Sequence, residues 1–279
     1  MRIANSERGQ RALAVLLVAV LAVTGCRGRT APRVGVVAST SLIAAIVDAV
    51  GGGRFAVTTV APAVGCPGQF DAKPADVITA SQARLVVNQG WEPWFPNFVT
   101  AVENAIQGSR TQPRFVTAST QGNWMVPDVH KAASREIAAL LAELEPRYAD
   151  VIRARAQRYE TQVDSAARVA KMVFWRRALP AVLASEKQEP FLTWLGFRMV
   201  ATYGRAEDFS AQELTRLARV AIDSSVQLVV DNLQTGPEAG LPLAQSLKIK
   251  HVTLTNFPLG GSYAAALLEN AEKLANALE

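Results

Sequence analysis

The chain has 279 residues, of which 49% are hydrophobic, and a formal net charge of +5. This length is sufficient for two compact domains of ordinary size, each with its own core. The basic residues are scattered among glutamates on helix-like segments, for example at Arg135, Arg147 and Arg153. That pattern is typical of solvated helix faces and argues against a nucleic-acid-binding surface.

The first 25 residues have the pattern of an export signal. Arg2, Arg8 and Arg11 precede an apolar run over 12–23 that is too short to span a bilayer. The run ends at Val-Thr-Gly-Cys, residues 23–26, which resembles a bacterial lipobox. We therefore expect a signal peptide over 1–25, a lipid on Cys26 that anchors the chain to the membrane, and a tether over 26–32. A plain signal peptide or a single anchor helix is the alternative.

The rest of the first half alternates between strand-like and helix-like segments. Apolar runs over 33–40, 55–62, 84–90 and 114–120 are separated by amphipathic segments that end at Gly or Pro. This alternation is typical of a parallel α/β sheet. The sequence predicts an N-terminal α/β lobe over 33–145.

A long helix is predicted next. From Pro146 to about Val173 the chain has no glycine and no interior proline. Apolar residues such as Ile152, Tyr159 and Val163 recur at helical spacing among charged residues. The segment 146–175 is therefore expected to be a rigid strut between two lobes.

The last segment, 176–279, repeats the alternation of the first half. Strands are predicted over 179–185, 197–204, 228–233 and 251–257, with helices over 188–196, 210–223, 237–248 and 262–278. The predicted fold class is α/β, with two lobes that each contain a roughly four-stranded parallel sheet flanked by helices. One long backbone helix joins the two lobes.

A binding site is expected beyond the carboxyl ends of these strands, because open α/β sheets bind ligands there. Polar and aromatic residues are concentrated at these positions, and two such edges would enclose a cleft. The residues expected to line the cleft are Gly68, Asp71, Trp91, Asn123, Trp124, Gln188, Tyr203, Asn232 and Gln234.

Two carboxylates at strand ends suggest a cation site. Glu186 and Asp231 each end a strand of the second half, and hard oxygen donors of this kind ligate divalent cations. They would equally well pair with neighbours such as Lys187 or Arg205. An enzyme is the rival interpretation, with the two acids as an acid/base pair or Cys66 as a nucleophile. The common hydrolase, metalloprotease and nucleotide-binding motifs are absent from the sequence.

Several motifs together resemble one known family. The lipobox, the two lobes and the long helix are similar to the metal-binding substrate-binding lipoproteins of zinc- and manganese-type ABC importers. Three local segments support this: GCPGQFDAKPADV, RLVVNQGWEPW and VLASEKQEPFLTWLGF. The resemblance covers about 33–279 and implies a partnership with an ABC permease.

Of the family's four metal ligands, one carries over in type, one becomes another oxygen ligand and two are lost. In gap-free register its three histidines fall on Gly68, Gly122 and Glu186, and its carboxylate falls on Asp231. A tetrahedral zinc site built from histidines is therefore not expected. Three outcomes remain open: a rebuilt site for another metal, a chelated or organic cargo held against aromatic walls, or a loss of cargo binding.

The resulting expectation is an extracytoplasmic, lipid-anchored, monomeric solute-binding protein that performs no chemistry. Its cargo would be a divalent metal ion, delivered to the permease of the same importer. The expected metal ligands are Glu186, Asp231, Cys66 and Gln69. A chelated or organic cargo, an adhesin on the same scaffold and a hydrolase are the alternatives. For Cys66 the alternative to a ligand is a buried, space-filling residue.

Overall fold

The computed structural model describes residues 33–109 and 112–279. The expected signal peptide, the tether and Cys26 lie outside these residues. The strands are β1 Val34–Ala38, β2 Phe55–Thr59, β3 Leu85–Asn88, β4 Arg114–Thr117, β5 Ala181–Ser185, β6 Arg198–Tyr203, β7 Val226–Asn232 and β8 Lys250–Leu254. The α-helices are α1 Ser41–Gly51, α2 Pro74–Ser81, α3 Phe95–Ala105, α4 Pro127–Leu144, α5 Ala149–Met172, α6 Glu189–Leu195, α7 Ala211–Asp223, α8 Leu241–Leu247 and α9 Tyr263–Ala277.

The strands form two separate parallel sheets with the same spatial order. The first sheet runs β2-β1-β3-β4 and the second runs β6-β5-β7-β8. In the first sheet Val36 lies opposite both Val57 and Leu85, and in the second Val229 lies opposite Leu183 and His251. The predicted fold class is confirmed, and each lobe places all its strand ends along one edge.

One core connects the two lobes. A continuous cluster of buried side chains, which we call the central core, includes Val36 of the first sheet, Val230 of the second and Val163 of the long helix. Two smaller cores cover the outer faces of the sheets, one around Phe98 and one around Leu217. Because both lobes share buried apolar surface, their relative position is stabilised by packing as well as by the chain that connects them.

The long helix α5 presents the predicted apolar stripe to this central core. Ile152, Tyr159 and Val163 are buried along it. The helix begins at Ala149 rather than at Pro146, because residues 146–148 form a 3-10 turn. Proline fixes its own φ and has no N–H to continue the hydrogen bonds of α4, so the chain turns before α5 begins.

Helix α8 also begins later than predicted, at Leu241 rather than near residue 237. The preceding residues form a turn in which Gly236 has φ of 154°, a conformation that favours glycine. Gly240 N–H then donates to the carboxylate of Asp231 at 2.9 Å. Within the part of the chain that the structure describes, no helix combines the length and the hydropathy needed to cross a bilayer.

Candidate functional site

A cavity of about 420 Å³ lies at the strand ends, with walls from both lobes. Its apolar walls are formed by Leu42, Trp91, Pro93, Trp124 and Phe257. Its amide side chains are Gln89, Asn123, Asn232, Gln234 and Asn256, and its cations are Lys187 and Arg205. The volume falls within the range of about 300–1,000 Å³ that is typical of small-molecule sites.

The structure brings six of the nine expected lining residues, together with Cys66, to this cavity. The six are Gly68, Trp91, Asn123, Trp124, Asn232 and Gln234. Gln69 and Asp71 are exposed outside it, and Gln188 and Tyr203 are buried beneath it. The strand-end rule therefore locates the site but does not tell which side chains face it.

Gly68 and Gly122, where the family resemblance places histidines, both line the cavity and lack the expected side chain. A Cβ at Gly68 would be 3.7 Å from Cys66 Sγ and 3.9 Å from Arg205 Nη2, so the guanidinium lies next to the space of the missing histidine. Gly122 has φ of 99°, a conformation that side-chain-bearing residues rarely adopt. Both glycines therefore belong to a reshaped cleft wall.

Asp231, expected as a metal ligand, is placed differently by the structure. Its side chain is fully buried. Its carboxylate accepts hydrogen bonds from Tyr203 Oη at 2.7 Å and Gly240 N at 2.9 Å, and it contacts His251 Nε2 at 2.6 Å. Burial and the neighbouring carboxylate together raise the pKa of Tyr203, which keeps its hydroxyl a donor. Asp231 therefore organises the inside of the lobe instead of facing the cleft.

Strand alternation explains this placement. Leu228 and Val230 belong to the central core, whereas Val229 belongs to the outer core of the second sheet. Successive side chains of a strand point to opposite faces, so Asp231 continues the outer series and Asn232 the inner one. The inner series ends at the cavity, and Asn232 accordingly lines it.

Glu186, the second expected carboxylate ligand, lies in a smaller adjoining cavity of about 210 Å³. Its side chain is about half exposed and forms an ion pair with Lys187 at 2.8 Å. Among the described residues, no group of three or more His, Cys, Asp or Glu side chains is arranged to hold a metal ion. The expected set of Glu186, Asp231, Cys66 and Gln69 is thus not brought together.

Cys66 does line the main cavity, and its nearest polar partner is a cation. Arg205 Nη2 donates to Cys66 Sγ at 3.2 Å, which links the loop after β2 to the loop after β6. The sequence indicates Arg205 only as a possible ion-pair partner of Glu186 or Asp231. No local sequence signal identifies this contact, because the two residues are 139 positions apart.

A buried carboxylate, which no pattern in the sequence points to, holds the loop that carries Gln89 and Trp91. Glu92 is 4% exposed. It accepts hydrogen bonds from Ser39 Oγ, from Gln89 N at 2.9 Å and from Trp91 N at 3.1 Å. Hydrogen bonds to a charged acceptor are stronger than neutral ones, so Glu92 fixes the direction of both neighbours.

Amide side chains connect the two lobes across the cleft. Asn123 Nδ2 donates to Lys187 O at 3.0 Å, and Gln234 Nε2 donates to Ala63 O at 2.8 Å. Deeper in the molecule Tyr263 Oη donates to Met125 O at 2.8 Å. These bonds, together with the shared core, hold the cleft in one arrangement.

The fold and the site can be compared with known proteins. Residues 36–277 match the family model described as "Zinc-uptake complex component A periplasmic". A comparison with curated protein sequences gives no match.

Solved structures of similar fold cover most of the chain. A crystal structure of ZnuA has a TM-score of 0.76 at 19% identity and covers 89% of this chain and 100% of its own. The periplasmic zinc-binding protein TroA from Treponema pallidum has a TM-score of 0.71 at 16% identity, with 88% and 99% covered. The laminin-binding protein Lbp of Streptococcus pyogenes has a TM-score of 0.72 at 17% identity, with 89% and 100% covered.

At these identities the solved structures establish the fold, whereas the family model covers nearly all of both lobes. The match confirms the resemblance that the sequence motifs indicated. The chain belongs to the family of periplasmic zinc-uptake complex component A proteins.

Proposed function

We propose that the chain is the extracytoplasmic solute-binding component of an ABC importer, anchored to the membrane by a lipid on Cys26. The observation that carries this proposal is the cavity of about 420 Å³ enclosed by both lobes at their strand ends. Its position follows the general rule for ligand sites in open α/β sheets. Membership of a zinc-uptake family supports the transport role.

A divalent metal, free or complexed, is the cargo that the family supports. Neighbours of similar fold are described as zinc-binding or as manganese- or cadmium-bound. In this chain a bare ion would need oxygen, nitrogen or sulfur donors assembled around it. Asp231 and Glu186 do not supply them, because one is buried within its lobe and the other is paired with Lys187.

We further propose that the chain performs no chemistry and acts as a monomer. An enzyme that used Asp231 and Glu186 as an acid/base pair would need them to face one another across the cleft. They do not, because Asp231 is buried and Glu186 lies in the adjoining cavity. A nucleophilic Cys66 would also need a base such as a histidine beside it. Cys66 contacts Arg205, whereas His130 is fully buried and bonded to Tyr159 Oη at 2.7 Å.

An adhesin on the same scaffold is the second candidate, because one neighbour is described as a laminin-binding protein. An adhesin needs an exposed recognition surface and has no use for an enclosed cavity. The cavity between the lobes therefore favours the transport role.

Crosslinking in living cells tests the proposal. The intact chain should be recovered with an ABC permease subunit, and Cys26→Ala should move the chain from the membrane to the soluble fraction. Deleting the gene should lower cellular accumulation of the cargo, measured as total metal content in metal-limited medium. Recovery of extracellular matrix or envelope proteins alone, with unchanged accumulation, would support the adhesin instead.

A further inference from the structure

The polar groups of the cavity differ from those of a bare metal site. We propose that the cleft binds a small organic anion that carries carboxylate groups, either free or as the chelator of a bound metal. This inference rests on the proposed function only in taking the cleft as the cargo site. It changes the class of cargo from a naked cation to an anionic molecule.

The amide oxygens around the cavity already accept hydrogen bonds from the protein itself. Gln89 Oε1 accepts from Thr40 Oγ1 at 2.8 Å, and Asn123 Oδ1 accepts from Met125 N at 2.8 Å. Gln234 Oε1 accepts from Asn256 N at 3.0 Å, and Asn256 Oδ1 accepts from Asn123 Nδ2 at 3.4 Å. A divalent cation binds through such oxygens, which here point at protein N–H and O–H groups.

Asn232 shows the same arrangement most clearly. Its Oδ1 accepts three hydrogen bonds at 3.0 Å, from the backbone N–H groups of Gln234 and Thr235 and from the Thr235 hydroxyl. Its Nδ2 is buried and has no hydrogen-bond partner among the described residues. A buried donor without a partner costs about 1–3 kcal/mol, which an acceptor on the ligand would recover.

Other donor groups on the cavity wall also favour a ligand that supplies acceptors. Gln89 Nε2 has no hydrogen bond to another described residue, and the Lys187 and Arg205 side chains add two positive charges to the lining. Carboxylates complement this set, because guanidinium and ammonium groups form charge-assisted hydrogen bonds with them.

Nearby acids reduce the positive charge without entering the main cavity. Glu186 pairs with Lys187 at 2.8 Å, and Glu207 lies 3.8 Å from Arg205 Nη1. Asp208 accepts from Arg205 N at 3.1 Å. Neither these three acids nor any other carboxylate contributes to the described lining of the main cavity. The charges that face a ligand there are those of the two cations.

Size and apolar surface support an organic molecule. The cavity volume is about 420 Å³, whereas one water molecule occupies about 30 Å³ in the liquid. The cavity is more than ten times larger, so a bare ion would leave most of it unfilled. Trp91 is 48% exposed and lies 6.4 Å from the ring of Phe257. These rings offer flat apolar surface beside the donors, which suits an anion with a planar carbon framework.

Titration calorimetry with defined probes tests the inference. The probes are citrate, pyridine-2,6-dicarboxylate, the zinc complex of each, and Zn²⁺ alone, added to the mature chain. At least one anion or anion complex should bind, and Arg205→Ala and Lys187→Ala should each weaken it by about tenfold or more. Tighter binding of the complexes than of the free anions identifies a chelate as the cargo, and the reverse identifies the free anion.

Two variants separate recognition from folding. Asn232→Asp keeps the Oδ1 acceptor for Gln234 and Thr235 but replaces the free donor by a carboxylate oxygen, so anion binding should be lost while the thermal unfolding transition persists. As a matched control, Arg216→Ala combined with Lys273→Ala removes two exposed positive charges that pair within their own helices. This control should leave anion binding unchanged.

Failure of every anion and complex to bind at millimolar concentration would overturn the inference. Equal weakening in the control variant would also overturn it, because only the general charge of the protein would then matter. Binding of Zn²⁺ alone, with recovery of a permease in cells, would leave the proposed transport function intact and refute only the anionic cargo. Absence of both the permease and any effect on accumulation would instead refute the transport function.

Discussion

Two adjacent residues at the end of β7, Asp231 and Asn232, show opposite uses of a polar side chain. Asp231 is buried in its lobe and its carboxylate is surrounded by donors from Tyr203, Gly240 and His251. Asn232 faces the cleft, with its oxygen fully engaged and its nitrogen without a partner. The first arrangement stabilises the fold, and the second is available to a ligand.

A position at a strand end is therefore not sufficient to identify a ligand. Strand alternation sends consecutive residues to opposite faces, so only one of such a pair can reach the cleft. The charged residue is the natural choice from the sequence, yet it is the neutral neighbour that lines the cavity.

Replacing the two expected carboxylate ligands should have very different effects on stability. Asp231→Ala removes a buried acceptor from three donors and should lower the free energy of unfolding by about 3 kcal/mol. Glu186→Ala removes an exposed, ion-paired side chain and should change it by less than about 0.5 kcal/mol. Denaturant unfolding measures both values.

Equal and small effects in the two variants would contradict the placement of Asp231. Loss of a stoichiometrically bound metal in both variants, with the fold intact, would restore the metal-ligand interpretation of these residues.

A methyl group at Gly240 should destabilise the same cluster. A Cβ at this position would collide with the Tyr203 hydroxyl and with the Val229 side chain. Gly240→Ala should therefore cost about 2 kcal/mol, a typical penalty for overpacking. Gly53→Ala is the matched control, because no atom lies within 4 Å of the added Cβ and φ is not positive there. Similar unfolding midpoints for the two variants would count against tight packing around Asp231.

A buried histidine should make stability depend on pH. Burial lowers the pKa of His130 from 6.5 to about 3, and its ring stacks on Tyr263 at 3.6 Å. Tyr263 and Tyr159 have pKa values raised by burial and stay neutral in acid, whereas Asp128 and Lys131 are charged neighbours on the same helix.

Between pH 6.5 and 3 the unfolded chain takes up a proton at His130 that the folded protein does not. The free energy of unfolding should therefore fall with decreasing pH, by up to about 1.4 kcal/mol per pH unit from this group. In His130→Phe this contribution is absent. The difference in the free energy of unfolding between the wild type and His130→Phe should therefore narrow or reverse as the pH falls. Parallel curves over this range would show that His130 is accessible to protons in the folded state.

The smallest effect is expected at Cys66. Its thiol is partly buried at the cavity wall and accepts a hydrogen bond from Arg205. Cys66→Ser keeps an acceptor of similar size and should change the free energy of unfolding by less than about 0.5 kcal/mol. Zinc affinity, measured under reducing conditions, should also remain unchanged. A sharp loss of zinc affinity would identify the thiolate as a ligand.

The sequence was sufficient for the architecture because each strand is a short apolar run bounded by turn residues. The runs ending at Ala38 and Asn88, for example, are followed by polar residues and then by amphipathic helices. Helix starts were less predictable. The turn before α8 depends on a hydrogen bond from Gly240 to Asp231, and that contact exists only in the folded lobe.

The candidate site was predictable in location but not in polarity. The strand-end rule selected the segments that carry Trp91, Asn123 and Gln234, and all three line the cavity. The roles of Lys187 and Arg205 depend on loops from different parts of the chain that meet only in the fold. The engagement of each amide oxygen is likewise a tertiary property, which no local pattern encodes.

Native mass spectrometry of the intact chain, purified without chelators from cells that produce it naturally, identifies what the cleft binds. An organic anion should be bound in the cleft, with or without a metal, and should be lost in Arg205→Ala. A single divalent metal bound stoichiometrically, with no organic species and no effect of Arg205→Ala, would contradict an anionic cargo.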